Sequence, residues 1–205
     1  MNKKKAKIVP DREQLGRAST DQEFQKFKLT GFDDKGKSNW NLEGDSAKID
    51  PGQTVFLDQN VTLRLKDNTV IKSDHVQWSQ DGGTLRTNSM VTVDHENVKV
   101  IGRGAYGRPN DGYIQLNRDI VMTMNAASKL VCQGPMKIFY NQNKMNFYRK
   151  VKVTDQRGTL SANRMDVFFD SEKKKIKEIS FMNDIIFQIC NSVRKCSQKR
   201  ERMNR

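Results

Sequence analysis

The chain repeats itself about every thirty residues. Units that begin at Thr54, Thr84, Tyr113, Met145 and Ile176 are spaced 30, 29, 32 and 31 residues apart. Each opens with an apolar pair, takes a short polar step and enters an alternating run: "VTLRL" from 61, "VTVDH" from 91, "IVMTM" from 120 and "VKVTD" from 151. Successive side chains of a strand point to opposite faces. Val61, Leu63 and Leu65, Val91 and Val93, Ile120, Met122 and Met124, and Val151 and Val153 therefore share one face. Thr62, Arg64, Thr92, Asp94, Thr123, Lys152 and Thr154 share the other. Turns at "KDN", "HEN", "NAAS" and "DQRG" lead into second alternating runs, clearest in "IKSDHVQWSQDGG" and "LSANRMDVFFDSEKK". A period of two repeated in this way predicts stacked antiparallel strands around one apolar interior, with no helical layer. The expected fold class is all-β, an elongated jellyroll or solenoid whose end strands stay unpaired.

Composition agrees with a thin interior. Of 205 residues, 35% are hydrophobic and 30% charged, which favours a half-open core over a thick globular one. The net charge is +13, of which Lys3, Lys4, Lys5 and Lys7 contribute four. Residues 190–205 contribute five more through Arg194, Lys195, Lys199, Arg200, Arg202 and Arg205 against Glu201, and the body between carries the remaining four. The expected organisation is a polar lead over 1–22, flexible or briefly helical and next to a truncated anchor, one β-jellyroll body over 23–189, and a basic tail over 190–205 that abandons the strand pattern. The fifth unit, "ISFMNDIIFQI", supplies half a repeat. Cys132, Cys190 and Cys196 lack metal-site spacing and cannot all pair internally. No run approaches the roughly 20 apolar residues of a membrane helix, and the basic start lacks the apolar stretch of a signal peptide.

Catalytic signatures are weak. "GRGAYG" at 102–107 has the spacing of a dinucleotide loop, but "RPNDGYIQL" follows it, a turn and another strand in place of the helix whose amides would hold a pyrophosphate. It reads as a glycine-kinked strand. His75 and His95 occupy similar places in successive units without a second ligand at metal spacing, and Asp74 and Asp94 beside them read as strand-end polar groups. Asn60-Val61-Thr62 fits the glycosylation tripeptide, yet Val61 belongs to the apolar face. No nucleophile, base and orienting group form a set. The expectation is a protein without enzyme activity, metal or cofactor.

What remains is the interior stripe. Phe27, Leu29, Trp40, Leu42, Phe56, Leu63, Val76, Trp78, Val93, Met122, Phe147 and Val153 are the candidate residues of an apolar groove. Val61, Val91, Ile114, Leu116, Ile120, Ile138, Tyr140, Val151, Met165, Val167 and Phe169 continue the stripe. It fits either a dry core or a groove for an apolar ligand.

Specific stretches resemble a known family. "FKLTGFDDKGKSNWNLEGDSA" at 27–47 is similar to the opening of LptC-type lipopolysaccharide-export proteins, where a glycine turn leads into an aromatic strand and a small-residue step. "IKSDHVQW" at 71–78 and "GTLSANRMDVFFD" at 158–170 resemble the unit shared by LptC, LptA and OstA-like domains. The resemblance spans about residues 24–189, with the LptC type favoured and an LptC–LptA hybrid arrangement as the alternative. It implies a twisted, half-open β-jellyroll in the periplasm. Its ligand would be lipopolysaccharide or a related glycolipid, with acyl chains inside and sugars outside. Its partners would be an inner-membrane ABC transporter and other jellyroll proteins of the same system, joined through edge strands. LptC proteins carry an N-terminal membrane helix and LptA a cleaved signal, so this chain is expected to be a truncated form of an anchored protein or one delivered by another route.

Two other classes stand beside this reading. A structural β-solenoid adaptor would share the repeat but keep a dry core without a lipid ligand. A nucleic-acid binder would use the basic tails, although basic and aromatic residues do not interleave along the chain as single-strand binding needs. Nucleic acid is therefore not an expected partner.

Overall fold

Strands of twelve residues dominate the chain. In a computed structural model, residues 7–8, 22–33, 35–50, 54–79, 81–124, 127–170, 176–182, 185–191 and 195–201 are described. The strands are β1 (Lys7–Ile8), β2 (Gln22–Phe32), β3 (Ser38–Ile49), β4 (Thr54–Leu65), β5 (Val70–Ser79), β6 (Thr84–His95), β7 (Val98–Arg108), β8 (Tyr113–Met124), β9 (Ser128–Cys132), β10 (Met136–Phe139), β11 (Lys144–Asp155), β12 (Gly158–Phe169), β13 (Ile176–Met182), β14 (Ile185–Asn191) and β15 (Lys195–Glu201). The only helical residues among those described form two three-residue 3-10 turns, Pro109–Asp111 and Tyr140–Gln142. This is the all-β, antiparallel jellyroll class that the period-two pattern predicts. The repeat is one hairpin long: β4, β6, β8 and β13 start at Thr54, Thr84, Tyr113 and Ile176, and β11 starts one residue before Met145. Of the expected lead over 1–22, Lys7–Ile8 pairs with β2 and Gln22 begins β2, and the rest lies outside the described residues.

Contacts divide the chain into two compact units, Met1–Glu96 with Gly104–Asp111, and Asn97–Arg103 with Gly112–Arg205. The first holds β1 to β6 in sequence order. The second holds β8, β10, β11, β12, β14 and β15 in that order, with β9 between β8 and β11, and β13 beside β12.

A straight twelve-residue strand would extend ~40 Å, but these strands are interrupted near their middle. In the first unit the pairing slips between Glu43 and Ser46 on β3, between Asp58 and Val61 on β4, and between Ser73 and Gln77 on β5. Lys26, Gln59 and Asn60 take left-handed backbone angles there, φ +57°, +64° and +50°, uncommon for residues with a side chain. Polar side chains at the slips bond to one another and, at Ser73, to a backbone carbonyl. Asn60 Nδ2 donates to Asp45 Oδ2 at 2.6 Å, and Ser73 Oγ donates to the Met90 carbonyl at 2.9 Å. His75 Nδ1 lies 2.6 Å from Asp58 Oδ1. The polar steps seen in the repeat are thus bends inside continuous strands. Asp74, expected at a strand end, sits at such a bend within β5.

The second unit has the same seam. β8 bends at Asp119 (φ +55°) and β11 at Arg149 and Lys150 (φ +63° and +52°). Between them, β9 and β10 are the two halves of one interrupted strand: β9 pairs with the second halves of β8 and β11, and β10 with their first halves. Gly134 makes the break, with φ +88° and so little room that a Cβ would lie 2.6 Å from the Asn117 carbonyl oxygen. Arg149 Nε donates to the Gly134 carbonyl, and the Gly134 N–H donates to the Tyr148 carbonyl at 3.1 Å.

Residues 195–201, expected to abandon the strand pattern, form β15 and pair with β14 residue by residue. A ladder is made by backbone groups, so it does not need the apolar alternation that this stretch lacks. "GRGAYG" lies within β7 and is followed by the Pro109–Asp111 turn and β8, so no helix start is present to hold a phosphate.

Trp40 illustrates how tightly the first unit is packed. It faces Gly31 across the β2–β3 ladder, a Cβ at position 31 would fall inside its indole, and its Nε1 donates to Asn110 Oδ1 at 2.9 Å. Gly31→Ala is expected to destabilise the protein by about 1–3 kcal/mol through overpacking, measured by urea unfolding. Adding Trp40→Leu should recover part of that loss. Unchanged stability in the single variant would show that the indole does not seat on Gly31.

Candidate functional site

An apolar cavity of about 310 Å³ lies inside the second unit. It is built by strands that contribute both of their halves. Met145 and Phe147 come from β11 before its bend, and Val153 and Asp155 from the same strand after it. β12 does likewise, with Gly158, Thr159 and Leu160 on one side of its middle and Met165, Val167 and Phe169 on the other. Met122, Met124 and Leu130 close one wall, and Ile176, Ile179 and Phe181 of β13 close another. Four of the nine methionines of the chain line this space. Their unbranched side chains adapt to an irregular apolar guest.

β13 pairs with Arg164–Phe169 of β12 and β14 with Gly158–Ser161, so the two are halves of one interrupted strand, as β9 and β10 are. β14 is covered by β15, whereas β13 has no ladder partner besides β12 among the described strands. A bulge keeps β13 apolar toward the cavity: Phe169 faces Ile176 and Phe168 faces Glu178, leaving Lys177 as the extra residue. Ile176, Ile179 and Met182 remain more than two-fifths exposed. The cavity therefore opens along β13.

A charged turn forms part of its rim. Asp155 Oδ1 accepts from the N–H of Arg157 at 2.8 Å and of Gly158 at 3.2 Å, and Arg157 Nη2 donates to Oδ2 at 2.7 Å. The hydrogen bond from Arg157 holds the Asp155 carboxyl below its ordinary value. On the reverse face of the same strands, Arg164 forks onto Asp166 at 2.9 and 2.7 Å, and Lys144 lies 3.9 Å from it. Burial pushes the Asp166 carboxyl up, but the Arg164 hydrogen bonds and the Arg164 and Lys144 charges more than reverse this, leaving it lowered. Lys144 also stands over the Phe168 ring and Arg164 over Tyr148, so cations and aromatics interleave across strands, although not along the chain.

The candidate groove residues divide between the units. Phe27, Leu29, Trp40, Leu42, Leu63, Trp78 and Val93 are buried in the first. Val76 is half-buried opposite Leu57, and Phe56 is half-buried between the fully buried Val55 and Leu57, on the alternate face of β4. Met122, Phe147 and Val153 belong to the second unit, where all three line the cavity. The stripe omitted Leu130, Met145, Leu160, Ile179 and Phe181. Leu160 shows why: it faces Val153, but β12 changes parity opposite the β11 bend, so strict alternation from Met165 misses it. His75 and His95 do not converge. His75 is exposed beside Asp58, while His95 Nδ1 lies 2.9 Å from Thr69 Oγ1. No metal-binding cluster occurs among the described residues, and no helix among them is long and apolar enough to cross a membrane.

Fold and cavity together define a β-jellyroll protein with an apolar, edge-open interior. The chain matches the family described as lipopolysaccharide-assembly, LptC-related, over residues 3–125, more than half of its length, and it belongs to that family. Membership assigns it a part in lipopolysaccharide transport and outer-membrane biogenesis, a periplasmic task. The match covers the first unit and ends at the close of β8, so most of the cavity wall lies beyond it. No curated protein matches the chain.

The Asp166 cluster gives a pH signature. Because the folded carboxyl is lowered, its stabilisation is present above the ordinary carboxylate range and is lost as pH falls from about 4 through the folded value. Asp166→Asn is expected to cost ~1–3 kcal/mol at pH 7 and to flatten the acid limb of stability between pH 5 and 3. Thermal melts across that range read both effects.

Proposed function

We propose that the chain is a periplasmic bridge component that passes the acyl chains of lipopolysaccharide through its apolar interior, from the inner-membrane ABC transporter toward the outer membrane. The observation that carries this reading is the open, methionine-rich cavity of the second unit, in a chain that belongs to an LptC-related family. Each methylene moved from water into such a space gains about 0.8 kcal/mol. A lipid with several acyl chains therefore cannot cross an aqueous gap unaided. An apolar interior offers it surroundings close to those of the bilayer it leaves, so the transfer between them is near neutral and work from the ATPase sets direction. The sugars stay in water past the open side, where β13 leaves a gap and the Asp155–Arg157 turn is charged. The groove residues of the first unit other than Phe56, namely Phe27, Leu29, Trp40, Leu42, Leu63, Val76, Trp78 and Val93, would contribute a corresponding apolar interior there. Edge strands would join neighbouring proteins of the same system by strand addition. No covalent chemistry is part of this role.

Photo-crosslinking amino acids at Met122 or Phe147 are expected to capture lipopolysaccharide, and one at the exposed Lys152 is not. Val153→Asp should lower capture from Phe147 at least ~10-fold, because a carboxylate in an apolar wall resists burial, with the melting temperature recorded alongside to exclude unfolding. Capture from Lys152 alone, or none from inside, would support the dry-core adaptor instead.

A further inference from the structure

The last hairpin holds two cysteines that lipid passage does not use. β14 and β15 pair in continuous register from Ile185 opposite Glu201 to Asn191 opposite Lys195, and Cys190 stands directly opposite Cys196. Directly opposed Cα atoms in an antiparallel ladder are about 4.5 or 5.5 Å apart, according to their place in the hydrogen-bond pattern. A disulfide accepts Cα separations of about 4.4–6.8 Å. Either ladder position thus puts the Cα separation of the two residues within the disulfide range.

We propose that Cys190 and Cys196 form a disulfide that fixes the β14–β15 hairpin in register beside β12. The proposal rests on the periplasmic setting of the family, since an oxidising compartment keeps such bonds. In the reaction each thiol gives up a proton and one S–S bond forms. The two electrons reduce the disulfide of a thiol–disulfide oxidoreductase, or of oxidised glutathione, to two thiols. Cys132 does not compete. It is buried in β9 opposite Ile120, and burial pushes its thiol up, which keeps it out of the reactive thiolate form.

The consequence lies at the cavity wall. β14 joins β12 through four residue pairs, Gly158 with Ile189 to Ser161 with Ile186, and Gly158, Thr159 and Leu160 line the cavity. Cys190 follows Ile189 directly. A covalent tie at that point holds β14 and β15 in register with each other next to the residues that make the wall, and so keeps β14 a formed strand at an edge whose ladder to β12 is short.

The test uses the full chain, incubated with oxidised glutathione, alkylated and digested with trypsin without reductant. The expected product joins peptide 178–194, which contains Cys190, to peptide 196–199, which contains Cys196, while Cys132 in peptide 130–137 is alkylated. Alkylation of all three cysteines, a linkage that includes Cys132, or one that joins two chains would each overturn the proposal. Cys196→Ser should leave Cys190 alkylated and raise amide exchange across 185–201 relative to the oxidised protein. Equal exchange would also overturn it, because the bond would then fix nothing. The assay contains no lipid, so its failure is separate from failure of lipid capture.

Discussion

The bend in the middle of each long strand is the constraint from which the rest follows. A flat strand of twelve residues with one apolar face can only cover a partner. A strand that turns at its middle presents the apolar residues of both halves to one space. β4 does this with Val55 and Leu57 before Gln59-Asn60, and Val61, Leu63 and Leu65 after it. The price is a left-handed backbone at residues with side chains, a cost of order 1–2 kcal/mol each, and a row of backbone groups without ladder partners. Ser46 and Ser73 meet part of the second cost by donating to the Asp58 and Met90 carbonyls, while Asn60 with Asp45 and His75 with Asp58 pair side chain to side chain. This is why the repeat carries a polar step in the midst of apolar runs.

The two faces of β11 and β12 are organised by opposite rules. Toward the interior, Met145, Phe147, Met165 and Val167 are apolar and line the cavity, and the two unbranched methionines among them adapt to an irregular shape. On the reverse face, Asp166, Arg164 and Lys144 form a directed cluster with Tyr148 and Phe168 against the cations. Charge-assisted, forked contacts have one good geometry. The fork itself lies within β12, and the ties from β11 to β12 on this face are Lys144 against Asp166 and Phe168, and Tyr148 against Arg164.

How much of this could be read from the sequence depends on the scale. The hairpin period was legible because each long strand pair consumes nearly the same number of residues, so Thr54, Thr84 and Tyr113 mark strand starts directly. The four turns were legible because Gly, Asn and Asp carry turn chemistry. The bends were visible as polar steps but not as bends, since a left-handed residue such as Arg149 has no signature of its own; its role comes from Gln133 and Gly134 on a neighbouring chain segment. The candidate site was read in part for the same reason. Met122, Phe147 and Val153 follow from alternation, while Leu160 and Ile179 depend on a parity change and a bulge that only pairing partners reveal. β15 was missed because its ladder is made by backbone and leaves the side-chain pattern unconstrained.

The interior of the second unit is open because its last bent strand is covered on one half alone. β13 and β14 repeat the arrangement of β9 and β10, pairing with the two halves of β12 and lying two residues apart in the chain. β15 covers β14, but among the described strands β13 pairs with β12 alone, and Ile176 and Ile179 line the cavity while staying substantially exposed. A closed barrel would have hidden those side chains and left no lateral way in for an amphipathic molecule. The uncovered edge of β13 leaves some apolar surface exposed to water, and under the proposed function that exposure would let a hydrocarbon chain enter while a polar group attached to it stays outside.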